Sequence, residues 1–297
     1  MSTPIRPNFF IAGAPKAGTS SLHAYLQSVP GIFMSRIKEP NFFSHVVVPD
    51  DHPVRPIRDT ESYLRLFAAA GDARIVGEAS PTYLADPEAP ALMQRFAPSC
   101  RVLISVRDPV ERAFSHYLML RNNSLVEGSF AEELKRGLRL QERRNIILLR
   151  PDVGLYFEQV RRHLDVFGGE RVHVVIFEEF MKDVPGGLRR ITQFLGIDHD
   201  FRDFKAPAYR PFAEVRGPLV RYLFGNRTVS RLSEALIPQG ARRWVREKFL
   251  VRKAAKPAMD AESREFLTDY YRADVARLSA LLERPLPWRN FRAPGTA

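Results

Sequence analysis

The run Phe9-Phe10-Ile11-Ala12-Gly13-Ala14-Pro15-Lys16-Ala17-Gly18-Thr19-Ser20-Ser21 constrains this chain more than any other. An apolar, strand-like segment gives way to small residues. Apolar positions then return at helical spacing, at Leu22, Tyr25, Leu26 and Val29. This predicts a strand, a tight turn and the start of a helix. A helix start presents unpaired backbone N–H groups and the positive end of the dipole, so such a turn receives a phosphate. Gly13 and Gly18 let the backbone approach closely, and Thr19 and Ser20 add hydroxyl donors. The common nucleotide loop, G-x-x-x-x-G-K-[ST], would place a lysine where this chain has Thr19. Its lysine is Lys16, inside the turn, which moves the cation towards a 5′-phosphate and its leaving bond.

The same alternation recurs. Short apolar or β-branched runs at 8–12, 74–76, 101–106 and 171–177 are interleaved with helical patterns. Examples are Val110, Ala113, Phe114, Tyr117 and Leu118, then Tyr156, Val160, Leu164 and Phe167. Leu267, Tyr271, Val275, Leu278 and Leu282 follow near the end. The prediction is a single α/β domain: a central parallel β-sheet flanked by helices, with a P-loop-like phosphate-binding loop after the first strand. A chain of 297 residues suits one core. We place the domain at 8–290, between a flexible N-terminus at 1–7 and a tail at 291–297, with a C-terminal helix at 260–283. Proline and glycine clusters at 49–56, 185–187, 205–218 and 238–240 read as loops.

A second constellation lies at 102–117. Arg107 ends a strand, where open α/β sheets bind ligands. Asp108 has the character of an N-cap, Pro109 suits the first helical position, and Glu111 completes a capping box. Ser115 follows six residues into that helix. Arg107 and Ser115 could share one phosphate at a distance from the first loop.

The net charge is +11. Residues 216–256 carry Arg216, Arg221, Arg227, Arg231, Arg242, Arg243, Arg246, Lys248, Arg252, Lys253 and Lys256 against Glu234 and Glu247. We read this as a basic helical segment, with a helix starting near Gly240. Its balance suits an anionic partner: a phosphorylated donor, an acidic glycan, a membrane surface or nucleic acid. The single cysteine, Cys100, excludes an intrachain disulfide and reads as a small core residue. With no signal-peptide pattern and no apolar run long enough to span a bilayer, a cytoplasmic place is expected. The seven histidines show no metal-ligand spacing.

Together these motifs resemble the sulfotransferase family that uses 3′-phosphoadenosine 5′-phosphosulfate. Pro15-Lys16-Ala17-Gly18-Thr19-Ser20 is similar to its 5′-phosphosulfate loop, and Arg107 with Ser115 to its 3′-phosphate pair. Lys38-Glu39-Pro40-Asn41-Phe42-Phe43 resembles the K-E-x-x-F-F motif of the glycan (heparan-type) branch, in which the glutamate is the catalytic base. Gly77 to Tyr83 resembles that branch's S-P-x-Y strand end, and Met259 to Trp288 its closing helix and final tryptophan. The resemblance covers about residues 8 to 290. Two departures bear on the acceptor. Ala79 stands where glycan-modifying members often carry lysine, and no cysteine-bracketed basic loop precedes the last helix. Arg252 is there instead, as a further candidate donor contact.

The resemblance implies in-line sulfuryl transfer to an acceptor hydroxyl, releasing 3′-phosphoadenosine 5′-phosphate and requiring no metal. Glu39 is the candidate base and Lys16 the group that stabilises charge on the leaving side. Pro40 blocks a helix there and is expected to present Glu39 from an extended segment. A solvated ion pair with Lys38 or Arg36 is the bland reading of Glu39, and Glu78 is the reserve base. The expected partners are the donor nucleotide and a hydroxylated, potentially anionic acceptor, with peripheral membrane contact through the basic segment and no nucleic acid. Two rivals are weighed. A P-loop kinase or NTPase needs a lysine at position 19 and a magnesium-binding acid, which Glu178-Glu179 could imitate. A purely electrostatic nucleic-acid or membrane binder explains the charge and leaves the loop without a purpose.

Overall fold

The structure is a computed structural model that describes residues 4–48, 55–123, 125–139, 145, 148–202, 204, 213–215, 251–253 and 257–292. In 213–215 and 251–253 it describes the backbone only.

Five parallel strands form the main sheet: β1 (Phe9–Gly13), β2 (Ile32–Met34), β3 (Ile75–Ala79), β4 (Arg101–Val106) and β5 (Val172–Ile176), in the order β2-β3-β1-β4-β5. β1 is central. Phe9 lies opposite Gly77 on β3 and opposite Arg101 on β4. Alternate residues of each strand point to opposite faces, and here both faces are buried, as parallel sheets require. Phe10, Ala12, Val102, Ile104 and Val106 pack on one side with α4 (Pro109–Asn122), α6 (Tyr156–Phe167) and α9 (Ala261–Leu281). Phe9, Ile11, Ile75, Ala79 and Leu103 pack on the other with α1 (Thr19–Gln27) and α8 (Val184–Phe194).

The chain leaves β1 through α1 towards β2 on one side, whereas β4 adds on the other. The sheet's topological switch point therefore lies at the carboxyl ends of β1 and β4, where doubly wound folds bind ligands.

Several expectations need correction. β2 was not anticipated, because Ile32–Met34 is too short to show a period. Residues 185–187 are not a loop but the first turn of α8. Pro185 suits that turn, Asp183 accepts from the Gly186 N–H at 2.9 Å, and a Cβ on Gly187 would lie 2.4 Å from the Phe180 ring. Within the expected flexible N-terminus, Ile5 packs against the core while Pro4 and Arg6 are exposed. Pro7 is buried, and Arg6 donates to the Phe96 carbonyl at 3.1 Å while lying over its ring. Phe291, assigned to the tail, belongs to the 3-10 turn Arg289–Phe291. The basic segment is not helical throughout. Val251–Lys253 is a strand, β7, paired antiparallel with β6 (Ala213–Val215), and β-branched Val251 suits that pairing. Residues 216–250, with the helix expected near Gly240, lie outside the described residues, as does much of the 205–218 cluster. α9 falls within the expected 260–283, with Asp260 as its N-cap accepting from the Ser263 N–H at 2.7 Å.

Candidate active site

The turn after β1 is held from two sides. The Ala14 N–H donates to the Ser105 carbonyl and the Ser105 hydroxyl donates to the Ala17 carbonyl, both at 2.6 Å. The turn therefore closes against the end of β4. Lys16 adopts φ 70° and Gly18 φ 82°, left-handed values that cost a residue with a Cβ about 1–2 kcal/mol. A Cβ on Gly18 would also lie 2.7 Å from the Phe177 ring. Gly18 occupies the N-cap position of α1, and that helix has neither a side-chain cap nor an acidic residue in its first turn. Its dipole and free donors thus face the cleft without a competing carboxylate.

Arg107 leaves the end of β4, lies over the Phe177 ring with its guanidinium carbon 4.9 Å from the centroid, and donates to the Lys16 carbonyl at 3.2 Å. Burial, and then the nearby Arg107 charge, hold the Lys16 pKa below its ordinary value, while Glu39 pulls it back up. Three groups assigned from separate motifs are thus electrostatic neighbours.

α4 starts as expected. Asp108 accepts from the Val110 and Glu111 N–H groups at 3.0 and 3.4 Å. The reciprocal partner is not the one expected. The Asp108 N–H donates to Glu178 Oε1 at 3.0 Å, and Glu111 accepts from Arg264 at 2.9 Å. Glu178 also accepts from the Trp288 indole at 2.9 Å, and Asn290 donates to Asp108 Oδ2 at 2.7 Å. Burial pushes the Asp108 pKa up to about 6 against these bonds. Glu178 is therefore a structural clasp, and Glu179 pairs with Arg284. Neither acts as the magnesium acid of a kinase.

One cleft of about 1640 Å³ is lined by Pro15, Lys16, Gly18, Thr19, Ser20, Arg107, Ser115 and Glu39, among others. Ala17 is buried beneath the turn, outside that lining, and its carbonyl accepts from Ser105. Arg252 lies opposite Glu214 in the β6–β7 pair, and its side chain lies outside the described residues.

Glu39 borders the cleft, but not from an extended segment. Its φ is 64°, its N–H donates to the Ala79 carbonyl at 2.9 Å, and its carboxylate pairs with Lys38, the partner named by the bland reading. The proline that follows disfavours the right-handed helical region, and Asn41 Nδ2 donates to the Glu39 carbonyl at 2.9 Å, which secures the left-handed turn. Glu78, the reserve base, is buried behind this segment, outside the cleft lining. It accepts from Tyr83, Ser80 and Tyr63 at 2.6, 2.8 and 3.3 Å. Burial raises its pKa to about 7. Cys100 is buried, which drives its thiol up to about 12 and leaves it inert.

Sequence reading assigned no role to Ser105, Phe177, Asn41 or Thr82, and weighed Glu178 only as a kinase-like acid, not as the partner of Asp108 and Trp288. Asn41, Thr82 and Ser105 carried a signal, since they lie inside the K-E-x-x-F-F segment, the Gly77 to Tyr83 stretch and the 102–117 constellation. His45, Asp86 and Glu88 also come together, with ligand atoms within 4.8 Å of one another. Asp86 there is already engaged by Ser44 and by the His45 and Glu88 N–H groups.

A turn rich in backbone donors at the switch point, with Lys16, Arg107 and Glu39 on one cleft, marks an α/β protein whose arrangement suits an anionic ligand. The family model of the sulfotransferase domain matches residues 6–279, and the chain belongs to that family. The crystal structure of a sulfotransferase from Alicyclobacillus acidocaldarius is similar, at 34% identity and a TM-score of 0.72, covering 96% of this chain and 99% of that one. Human carbohydrate sulfotransferase 15 is 26% identical over 245 residues, which is 64% of this chain and 44% of that protein. Mouse bifunctional heparan sulfate N-deacetylase/N-sulfotransferase 4 is 25% identical over 295 residues, 95% of this chain and 31% of that protein. The chain thus spans less than half the length of these two relatives. The family assignment removes the kinase and the purely electrostatic binder. Among the described residues no helix is long and apolar enough to cross a membrane.

Proposed function

We propose that this protein transfers a sulfuryl group from 3′-phosphoadenosine 5′-phosphosulfate to an acceptor hydroxyl. The observation that carries the reading is the convergence of loop 15–20, Arg107, Ser115 and Glu39 on one cleft. The donor fits these residues chemically: N–H groups, hydroxyls and an ammonium for the 5′ side, and a guanidinium with a hydroxyl for the 3′-phosphate. Arg252 is a further candidate donor contact.

The acceptor oxygen attacks sulfur as the bond from sulfur to the phosphate's bridging oxygen breaks, giving a sulfate ester and 3′-phosphoadenosine 5′-phosphate. Glu39 takes the hydroxyl proton, and Lys16 meets the charge that develops on the departing oxygen. No metal enters this scheme. A glycan acceptor agrees with the names of the relatives and with the K-E-x-x-F-F segment, and lipid or small-molecule alcohols fit the same chemistry. The basic 216–256 segment would attract an anionic acceptor or an anionic membrane surface. Nucleic acid has no part in this reading, and the single buried thiol agrees with a cytoplasmic place.

Labelled donor offered with glycan, lipid, phenol and peptide acceptors tests the proposal. Glu39→Gln should lower turnover ~10²–10⁴-fold while leaving binding of 3′-phosphoadenosine 5′-phosphate intact. Lys16→Ala should harm both. Wild-type turnover in Glu39→Gln across pH would remove Glu39 as the base.

A further inference from the structure

Glu39 is held by a chain of hydrogen bonds that begins in the core. Glu78 Oε2 accepts the proton of the Ser80 hydroxyl at 2.8 Å, so the Ser80 oxygen turns a lone pair towards the Asn41 N–H, which donates to it at 3.0 Å. The Asn41 side chain is buried. Its Oδ1 accepts from Thr82 at 2.7 Å, and its Nδ2 donates to the Glu39 carbonyl at 2.9 Å. Glu39 and Asn41 both lie at left-handed φ, 64° and 51°, a conformation that persists where the surroundings over-determine it.

We infer that Glu78 is a positioning residue for sulfuryl transfer: through Ser80 and Asn41 its carboxylate sets the backbone turn that carries Glu39. The inference rests on the reading of Glu39 as the base. Glu78 suits the task as an ionised group, because a carboxylate only accepts and meets three hydroxyl donors, from Tyr63, Tyr83 and Ser80. Once protonated it must donate through one oxygen. One of the three hydroxyls must then turn, and Ser80 is the one whose rotation disturbs Asn41. The titratable and charged groups facing Glu78 are Tyr63 on α2 (Thr60–Arg65), Tyr83 in the turn after β3, and Lys38, with Cys100 behind Tyr63. Both phenols stay protonated, since burial and the Glu78 charge raise their pKa well above the usual value. The carboxyl itself, at about 7, titrates in the working range. The positioning is therefore lost as pH falls through that value.

The test uses the full chain with Glu78→Gln, Ser80→Ala, Glu39→Gln and the Glu78→Gln/Glu39→Gln pair. 3′-Phosphoadenosine 5′-phosphate is the binding probe, and p-nitrophenol with labelled donor is the acceptor probe. Glu78→Gln should lower kcat about 10- to 100-fold, leave nucleotide affinity within about twofold, and remove the acidic fall of kcat near pH 7. The double variant should be no slower than Glu39→Gln alone, because both substitutions act through one group. Amide hydrogen exchange at Asn41 should quicken at least about tenfold in Glu78→Gln and in Ser80→Ala. If Glu78→Gln fails to fold, Ser80→Ala decides the matter by the same measurements. An unchanged Asn41 exchange rate, or fully additive losses in the double variant, would overturn the positioning role. An active Glu39→Gln would overturn the base reading instead, whatever Glu78 does.

Discussion

The guanidinium of Arg107 donates to the carbonyl oxygen of Lys16 across 3.2 Å, so cations assigned to opposite ends of one nucleotide are joined through the backbone. In the proposed reaction Arg107 therefore has two jobs, meeting a phosphate and bracing the loop that would meet another.

This coupling predicts different outcomes for the two members of the 3′ pair. Ser115→Ala should weaken 3′-phosphoadenosine 5′-phosphate by ~1.5–3 kcal/mol, about 10- to 150-fold, as expected for a lost bond to a charged group. It should not alter adenosine 5′-phosphosulfate, which lacks the 3′-phosphate. Arg107→Gln should weaken both nucleotides. Calorimetric titration of the two ligands decides it, and equal losses in Ser115→Ala would remove that residue from the 3′ site.

The nucleotide itself should stabilise the fold. At a hundredfold excess over its dissociation constant the gain is ~2.7 kcal/mol. ATP with magnesium should shift the melting temperature far less, because it lacks the 3′-phosphate. Equal shifts would contradict the two-ended clamp.

Gly18→Ala should cost ~1–2 kcal/mol for its left-handed backbone, and more for the contact its Cβ would make at 2.7 Å with Phe177. Melting temperature and nucleotide affinity should fall together. Adding Phe177→Leu should restore part of the stability by relieving the contact, and the strained φ should keep the recovery incomplete.

Glu78 also predicts a pH signature in stability. Its folded pKa, about 7, lies above the ordinary value of 4.5, so folding takes up a proton between these limits. Its contribution to stability is present below pH 4.5 and is lost as pH rises through 7, by at most ~3 kcal/mol. Glu78→Gln removes that slope. The melting temperature of the variant relative to wild type should rise between pH 4.5 and 7.5. Asp108, raised to about 6, has the same sign in both proteins and cancels. A pH-independent difference would refute the shift.

The basic segment should act on the acceptor. Replacing Arg242, Arg243 and Arg246 with glutamine should raise the acceptor KM at low salt, with little effect above ~0.15 M, where the screening length is about 8 Å. Donor affinity should hold. Loss of binding to anionic vesicles with unchanged acceptor kinetics would favour the membrane surface instead.

What was legible in the sequence was local. Loop 14–18 is written in small residues and a proline around Lys16, Arg107-Asp108-Pro109 in a strand end followed by a cap, and α9 in a long helical period. What was not legible joins distant positions. Nothing near Asp108 announces that Glu178, seventy residues on, takes its N–H, or that Trp288 then holds Glu178. Glu39 shows the limit within a single motif. Pro40 correctly forbids a helix, yet the left-handed turn depends on Asn41, Ser80 and Thr82 and cannot be read from the dipeptide. The α8 start misled because Pro185-Gly186-Gly187 has loop composition, and only the Phe180 ring explains why the helix wants the glycine.

The clasp of Asp108, Glu178, Trp288 and Asn290 has a consequence for how the protein is made. Asn290 reaches Asp108 across 182 positions of chain. At roughly 5–20 residues per second of synthesis, some 10–40 s separate the two on the ribosome. The turn after β1 and the first strands emerge early, but the turn that follows Arg107 has no indole or amide to rest on until translation has passed residue 290. The proposed donor site is thus braced only late in the birth of this chain.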